Sequence, residues 1–272
     1  MHTWITHCRL IAATLGLVLA ASHADAHDVW ITTVQDAATT FQAIVHHGHP
    51  GDRKTPDPDK LFEFDVFGGA QSQPSLLPGI ARAVQQNIPV LITELRPVEG
   101  ETSILLLAAQ YDNGYWVKTT HGHRNTSMLQ VSGATESLSS MKYAKAFLQV
   151  GPGTSELYRK IVGHRLEVVP LSNPFAVKPG EPLSVKVYFD SKPLSGVFVE
   201  MGDGVTPMEE KDIPRYKTDE QGIAIIPLGK AGPQLIVVDH FVPAAHPELS
   251  ARDLHNATLS FLLPSPPSEV MK

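Results

Sequence analysis

Short runs of β-branched and aromatic residues, separated by proline and glycine, constrain the fold of this chain more than any other feature. Residues 62–67 and 183–189 alternate apolar and polar side chains with period two, as strands with one buried face do. The 22 prolines and 20 glycines fall mostly between runs of this kind, which favours turns and disfavours long helices. The sequence therefore predicts an all-β protein. Residues 141–149 are ambiguous, because their alanine and lysine content also permits a helix.

A change in composition near residue 163 indicates two β-sandwich-like domains. Residues 27–163 form the predicted N-terminal β domain, which is rich in histidine. Residues 164–264 contain about seven predicted strands with turn signals between them, a spacing typical of an immunoglobulin-like or transthyretin-like sandwich. The proline-containing end, residues 265–272, is predicted to be a disordered tail.

The first 26 residues have the pattern of a secretory signal peptide. Arg9 precedes an apolar run at residues 10–21, and Ala24-Asp25-Ala26 supplies the small residues that signal peptidase requires. The run is shorter than the roughly 20 apolar residues that span a bilayer. We therefore expect a periplasmic protein that begins at His27. Cleavage would also remove Cys8, the one cysteine of the chain.

Charge and motif content argue against several classes of function. The net charge is -6 and no basic stretch is present, so a nucleic-acid partner is not expected. The sequence also contains no serine-centred nucleophile elbow, phosphate-binding glycine loop or His-Glu-x-x-His helix. We therefore expect a binding protein rather than an enzyme.

Histidine is the residue type that carries the predicted chemistry. Ten of the 13 histidines follow residue 26, and without a thiol a transition metal would be held by imidazole and carboxylate groups. Such donors suit nickel, cobalt, copper or zinc. If His27 is the first residue, its α-amine and ring nitrogen can chelate one ion together. Cleavage after Ala24 would instead place His27 third, in a pattern that binds Cu(II) or Ni(II) in a square plane.

Five further histidines are candidate ligands by their spacing. In the segment His46-His47-Gly48-His49, strand alternation puts His47 and His49 on one side and His46 on the other. His121 and His123, at positions i and i+2, would share one face of a strand about 7 Å apart in Cα. His240 ends a predicted strand, with Asp239 beside it as a carboxylate that could orient the ring. The predicted metal ligands are His27, His47, His49, His121, His123 and His240.

Several strings of residues resemble one known family along nearly the whole chain after residue 26. These strings are AHDVW at 26–30, GH at 48–49, GYWVKTT at 114–120, LEVVPL at 166–171, KPLSG at 192–196, Thr218-Asp219 with Gly222, and ATLSF at 257–261. In this order they resemble the periplasmic components associated with nickel/cobalt uptake transporters, a group labelled as a domain of unknown function. The resemblance implies a secreted, β-rich protein in two parts that presents metal to a membrane permease. It implies ligand roles for His27 and His49.

Two functions from different classes are compatible with these features. The first is a periplasmic protein that binds a divalent metal, with nickel or cobalt favoured and copper or zinc left open, and delivers it to a membrane uptake transporter. The alternative is a copper carrier or oxidative enzyme in which His27 forms a histidine brace. A third interpretation, an adhesion or scaffold module with incidental histidines, predicts no metal binding. The sequence leaves the oligomeric state open.

Overall fold

The computed structural model describes residues 27–37, 40–68, 75–96, 103–151, 155–178 and 180–264. The predicted signal peptide and the predicted tail, residues 1–26 and 265–272, lie outside the described residues. In the described residues the chain forms strands, turns and 3-10 turns of three or four residues, so the predicted all-β class is confirmed. The ambiguous residues 141–149 belong to a strand. No helix in the described part of the chain is long and apolar enough to cross a membrane.

Seventeen strands occur in the described residues, and we number them β1 to β17 in chain order. They are Asp28–Ala37 (β1), Thr40–His49 (β2), Asp52–Lys54 (β3), Leu61–Phe67 (β4), Ala81–Gln85 (β5), Ile88–Leu95 (β6), Ile104–Thr119 (β7), Gly122–Arg124 (β8), Glu136–Gln149 (β9), Leu166–Pro170 (β10), Pro182–Phe189 (β11), Lys192–Pro193 (β12), Phe198–Gly202 (β13), Arg215–Lys217 (β14), Ile223–Pro227 (β15), Gly232–Pro243 (β16) and Arg252–Leu263 (β17).

An eight-stranded sheet is the largest sheet in the described residues. Its strands follow the order β14-β13-β16-β17-β9-β7-β4, and β8 pairs with β7. β17 and β9 run parallel, while the other pairs in this sheet are antiparallel. A five-stranded sheet has the order β1-β2-β6-β5 with β3 on β2, and a four-stranded sheet joins β10, β11, β12 and β15.

Two hydrophobic cores lie on opposite faces of the eight-stranded sheet. On β7, Leu105 and Leu107 pack into the core shared with the five-stranded sheet. Ile104 and Leu106, which alternate with them, pack into the core shared with the four-stranded sheet. Because β7 is covered on both faces, its apolar residues are consecutive rather than alternating. Full burial of each such side chain stabilises the fold by about 1.5–3 kcal/mol.

Side-chain hydrogen bonds attach β1 to the eight-stranded sheet. The Thr258 hydroxyl donates to the Val29 carbonyl oxygen at 2.8 Å, and the Ser260 hydroxyl donates to that of Ile31. These bonds satisfy buried carbonyl groups of β1. Because their donors lie on β17, they hold the start of β1 against an inner strand of the eight-stranded sheet. The residue just before β1 is His27, so its position is fixed by the same contacts.

The eight-stranded sheet takes strands from both sides of residue 163. β4, β7, β8 and β9 precede this position, and β13, β14, β16 and β17 follow it. The sheets pack as layers, in agreement with a sandwich-like arrangement. The division into domains at residue 163 and the immunoglobulin-like or transthyretin-like type of the second half remain predictions.

Candidate metal centre

The pairing of β1 with β2 brings three of the predicted ligands together. Asp28 pairs with Gly48 and Val29 pairs with His47, so the start of β1 lies beside the end of β2. The ring centroid of His27 is 5.7 Å from that of His47 and 5.3 Å from that of His49. We call His27, His47 and His49 the three-histidine cluster.

His46 lies on the other face of β2, as strand alternation predicts. Its ring stacks on Trp30 with centroids 5.0 Å apart, and its Nε2 lies 2.8 Å from the Thr32 hydroxyl. The Arg53 guanidinium covers Trp30 at 4.3 Å from the ring centroid. His46 is therefore held by aromatic and hydrogen-bond contacts of its own and is separate from the three-histidine cluster.

Gly48 is the residue that permits the tight path of the chain between His47 and His49. Its φ is +115°, a conformation that side chains with a Cβ rarely adopt. A Cβ at this position would also lie 2.3 Å from the backbone oxygen of Asp52 on β3. Only glycine fits here, and the two flanking histidines keep the same side of the hairpin formed by β2 and β3.

Burial keeps His47 in the neutral form. Both ring nitrogens of His47 are buried and make no hydrogen bond of ordinary geometry among the described residues, and a contact with the Thr55 backbone acts only as the least of the influences on its pKa, in the raising direction. Burial lowers the pKa of His47 to about 3, and repulsion from Lys142 and His27 acts in the same direction. Burial also lowers the pKa of His27, with repulsion from His49 as the next cause. Neutral imidazole is the form that binds metals, so the pKa shifts of His27 and His47 favour metal binding by these two rings at neutral pH.

Two carboxylates flank the cluster. His27 Nε2 lies 3.5 Å from Asp52 Oδ2, and His49 Nδ1 lies 3.5 Å from Asp28 Oδ2. Carboxylates near metal-binding imidazoles orient the rings and add negative charge. His27 and His49 both retain access to solvent, with 20% and 39% of their side-chain surface exposed. An ion can therefore reach the cluster from outside.

A buried polar group lies behind Asp28 and was missed by the sequence analysis. The Asn256 amide donates to Asp28 Oδ1 at 2.9 Å and to Asp239 Oδ1 at 2.8 Å. Burial and repulsion from Asp28 raise the pKa of Asp239 to about 6. Nearby, the Lys142 ammonium is fully buried without a hydrogen-bond partner among the described residues. Buried polar groups of this kind concentrate at functional sites.

The remaining predicted ligands lie outside the three-histidine cluster. His121 and His123 are exposed at the hairpin of β7 and β8, and His123 lines the same cavity as His27 and His47. His240 packs against Phe189 with centroids 4.6 Å apart and pairs with His255 across β16 and β17. The sequence predicts Asp239 as a carboxylate that orients His240, whereas in the structure Asp239 is joined to Asp28 through Asn256.

The spacing of the three rings is compatible with one shared ion. Imidazole nitrogens bind transition metals at about 2.0–2.1 Å, which puts the centroids of two rings on one ion about 4.5–6.4 Å apart. Both measured separations in the cluster fall in this interval. In their present orientations, however, no three His, Cys, Asp or Glu side chains of the described residues form a preformed metal site. Coordination would therefore require rotation of the rings.

Comparison with known proteins identifies the family of the chain. The model of a family described as "Domain of unknown function (DUF4198)" matches residues 24–241, which include the whole three-histidine cluster. The chain belongs to the DUF4198 family. The predicted resemblance is confirmed in part, because the chain belongs to a domain family of unknown function. Its association with nickel or cobalt uptake is a proposal.

Other comparisons with known proteins add little to the DUF4198 assignment. No curated protein matches the chain. One solved structure, "Chimeric titin Z1Z2 functionalized with a KLER exogenous peptide from decorin", is 12% identical in sequence, with 88% of this chain and 95% of that chain covered. Its TM-score of 0.17 is too low to support any argument about the fold.

Proposed function

We propose that this protein binds a nickel or cobalt ion through His27, His47 and His49 and delivers it to a membrane uptake transporter. The observation that carries the proposal is the convergence of the three rings, with centroids 5.3 and 5.7 Å apart, from the residue before β1 and from β2. The buried ring nitrogens of His47 support it, since they make no hydrogen bond of ordinary geometry among the described residues and only a contact with the Thr55 backbone, so the imidazole gains from binding an ion. Solvent access at His27 and His49 suits an ion that is cargo and must leave again.

The donor set favours nickel or cobalt over metals that prefer sulfur. Nitrogen and oxygen ligands suit Ni(II), Co(II), Cu(II) and Zn(II), and Cu(I) is disfavoured without a thiolate. The metal in this proposal keeps its oxidation state, so the protein acts as a carrier and not as an enzyme. Export to the periplasm through residues 1–26 belongs to the same proposal, because it would place the protein beside the permease and expose the α-amine of His27.

Replacing His49 is expected to weaken Ni²⁺ binding at least tenfold in isothermal titration of protein that begins at His27. One of three imidazole donors is lost, while the apo protein keeps its fold because the His49 side chain is 39% exposed. The apo melting temperature of His49→Ala should therefore stay within about 2 °C of the unaltered protein. His121→Ala, at an exposed histidine outside the cluster, serves as the matched control and should bind Ni²⁺ normally. Unchanged Ni²⁺ affinity in His49→Ala would contradict the proposal.

Adding one alanine before His27 is expected to weaken Ni²⁺ binding roughly tenfold or more. The extension turns the α-amine of His27 into an amide and so removes one donor of a chelate. Titration of the two proteins, one starting at His27 and one starting with the added alanine, measures the effect directly. Equal affinities would exclude the amine as a ligand and leave a site made of side chains alone.

The copper alternative makes a different prediction from the carrier. A histidine brace that acts as an oxidative enzyme would consume peroxide or reductant when loaded with copper, whereas a carrier would not turn over either. Native mass spectrometry of protein isolated from its own periplasm reports the first residue and the bound metal together. Nickel or cobalt on a chain starting at His27 is the expected result, and protein without a transition metal would favour the scaffold interpretation.

A further inference from the structure

A cavity of about 640 Å³ opens beside the three-histidine cluster. Each water of a hydrated ion accounts for about 30 Å³, so an ion with six waters needs only about 200 Å³. The cavity is more than twice that size and falls in the range of about 300–1,000 Å³ that is typical of small-molecule sites. A hydrated metal ion alone would therefore leave most of the cavity unfilled.

The walls of the cavity combine apolar surface with buried polar atoms that lack partners. Trp116, Leu138 and Leu254 supply apolar surface. Asn113 and Ser140 also line the cavity, and they are only 6% and 2% exposed. Asn113 Oδ1 and the Ser140 hydroxyl have no hydrogen-bond partner among the described residues. Buried polar atoms are nearly always paired, so these two indicate a polar ligand.

The charges around the cavity indicate the chemistry of that ligand. Lys54 and Lys118 are neutralised by Asp52 and Glu136 at 2.8 and 2.9 Å. The Lys60 ammonium instead donates to the Asn113 carbonyl oxygen and to Asn125 Oδ1, at 3.1 and 3.0 Å.

Arg252 also lines the cavity, and its guanidinium stacks on Phe241 at 4.2 Å from the ring centroid. Among the described residues no salt bridge joins a carboxylate to Lys60 or Arg252. Of the carboxylates on the cavity wall, Glu136 interacts electrostatically with Arg252, and Asp57 pairs with Arg82 at 3.3 Å. Two cations outside any salt bridge suit a ligand that brings its own carboxylate.

We propose that the cavity binds a small organic chelator that carries carboxylate groups, and that the metal is held as a ternary complex of protein, ion and chelator. This inference rests on the proposed function, because the chelator shares the ion with the three-histidine cluster. The chelator fills coordination positions that the histidines leave open, while Lys60 and Arg252 hold its carboxylates and Asn113 and Ser140 its polar groups. Amino acids and hydroxycarboxylic acids both have this chemistry.

Equilibrium dialysis tests the inference on protein that begins at His27 and carries one equivalent of Ni²⁺. The probes are radiolabelled L-histidine and, separately, radiolabelled citrate. We expect about one label per protein for at least one probe, with retention at least tenfold stronger with Ni²⁺ than without it. The probe that is retained distinguishes an amino acid from a hydroxycarboxylic acid. Lys60→Gln should weaken retention about tenfold at equal nickel loading, and Lys192→Gln, at an exposed lysine outside the cavity, should leave it unchanged.

The outcomes separate this inference from the proposed function. Protein that binds Ni²⁺ but retains neither label would overturn the ternary complex and leave metal binding intact. Retention that is equally strong without Ni²⁺ would also overturn it, since the ion would then play no part. Protein that binds neither Ni²⁺ nor label would contradict the proposed function, and the inference with it.

Discussion

Acidification from pH 7 to pH 4.5 is expected to lower the free energy of unfolding of the metal-free protein by several kcal/mol. Buried histidines are the cause, and His164 and His255 are two of them, 4% and 5% exposed. His46 and His47, whose pKa values burial lowers to about 3, act in the same direction, whereas Asp239, whose pKa burial raises to about 6, opposes them. Burial lowers the pKa of His164 and of His255 from 6.5 to about 4, and for His255 repulsion from Arg165 is the next cause. The unfolded chain takes up both protons near pH 6.5, whereas the folded chain takes them up only near pH 4. The stabilisation is complete above that pH and is lost as the pH falls towards 4, by about 1.4 kcal/mol per pH unit for each proton.

His164→Phe isolates one of these two protons. Neither ring nitrogen of His164 has a hydrogen-bond partner among the described residues, and the ring lies 5.4 Å from that of Tyr143. A phenyl ring should therefore fit the site and reduce the slope of stability against pH by about 1.4 kcal/mol per pH unit between pH 6 and 4.5. Urea unfolding at four pH values in this range and above it measures the slope. Tyr158→Phe controls for a general loss of stability, and an unaltered slope in His164→Phe would contradict the assignment.

The part of the site that depends on local geometry could be predicted from the sequence. Alternation along β2 depends only on the backbone of one strand, so it correctly puts His47 and His49 on one side and His46 on the other. The role of Gly48 in the chain path is also local, since its φ of +115° is a conformation that glycine adopts readily. The placement of His121 and His123 on one strand face was wrong, because His121 lies in the turn after β7 and only His123 lies in β8.

The part that depends on the packing of distant strands could not be predicted. Lys142 and Lys145 look like solvent-facing residues, yet both are buried because β9 is covered on both faces. The contact of Asp28 with Asn256 joins the two ends of the described chain, and no local pattern indicates it. β1 was also not predicted as a strand, although its run Val29 to Val34 is rich in β-branched residues and could have been recognised.

Glu167→Ala is expected to lower the free energy of unfolding by about 3–5 kcal/mol, because it leaves a buried charge without its partner. The Lys145 ammonium lies 2.7 Å from Glu167 Oε1, and only 2% and 1% of the two side chains is exposed. The Glu167 carboxylate also accepts from the backbone N–H groups of Val162 and Gly163 at 2.8 and 3.1 Å. Urea unfolding at pH 7 measures the loss. Glu136→Ala, which breaks a solvent-exposed pair with Lys118, is the matched control and should cost less than about 1 kcal/mol.

A double variant decides whether the charge is the cause of that loss. Lys145→Met with Glu167→Leu removes both charges and fills the space with apolar side chains, which often restores the stability of a protein with a broken buried pair. Recovery should be partial, since the N–H groups of Val162 and Gly163 remain without an acceptor. A double variant as unstable as Glu167→Ala would show that the ion pair is not responsible.

The same measurement tests the predicted division at residue 163. Lys145 lies on β9, before this position, and Glu167 lies on β10, after it. If the two halves unfold as one unit, Glu167→Ala shifts a single transition that fluorescence and circular dichroism report at the same urea concentration. We expect this result, because strands from both halves share the eight-stranded sheet and the buried ion pair joins β9 to β10. Two separate transitions, of which only one responds to the substitution, would instead support two independent domains.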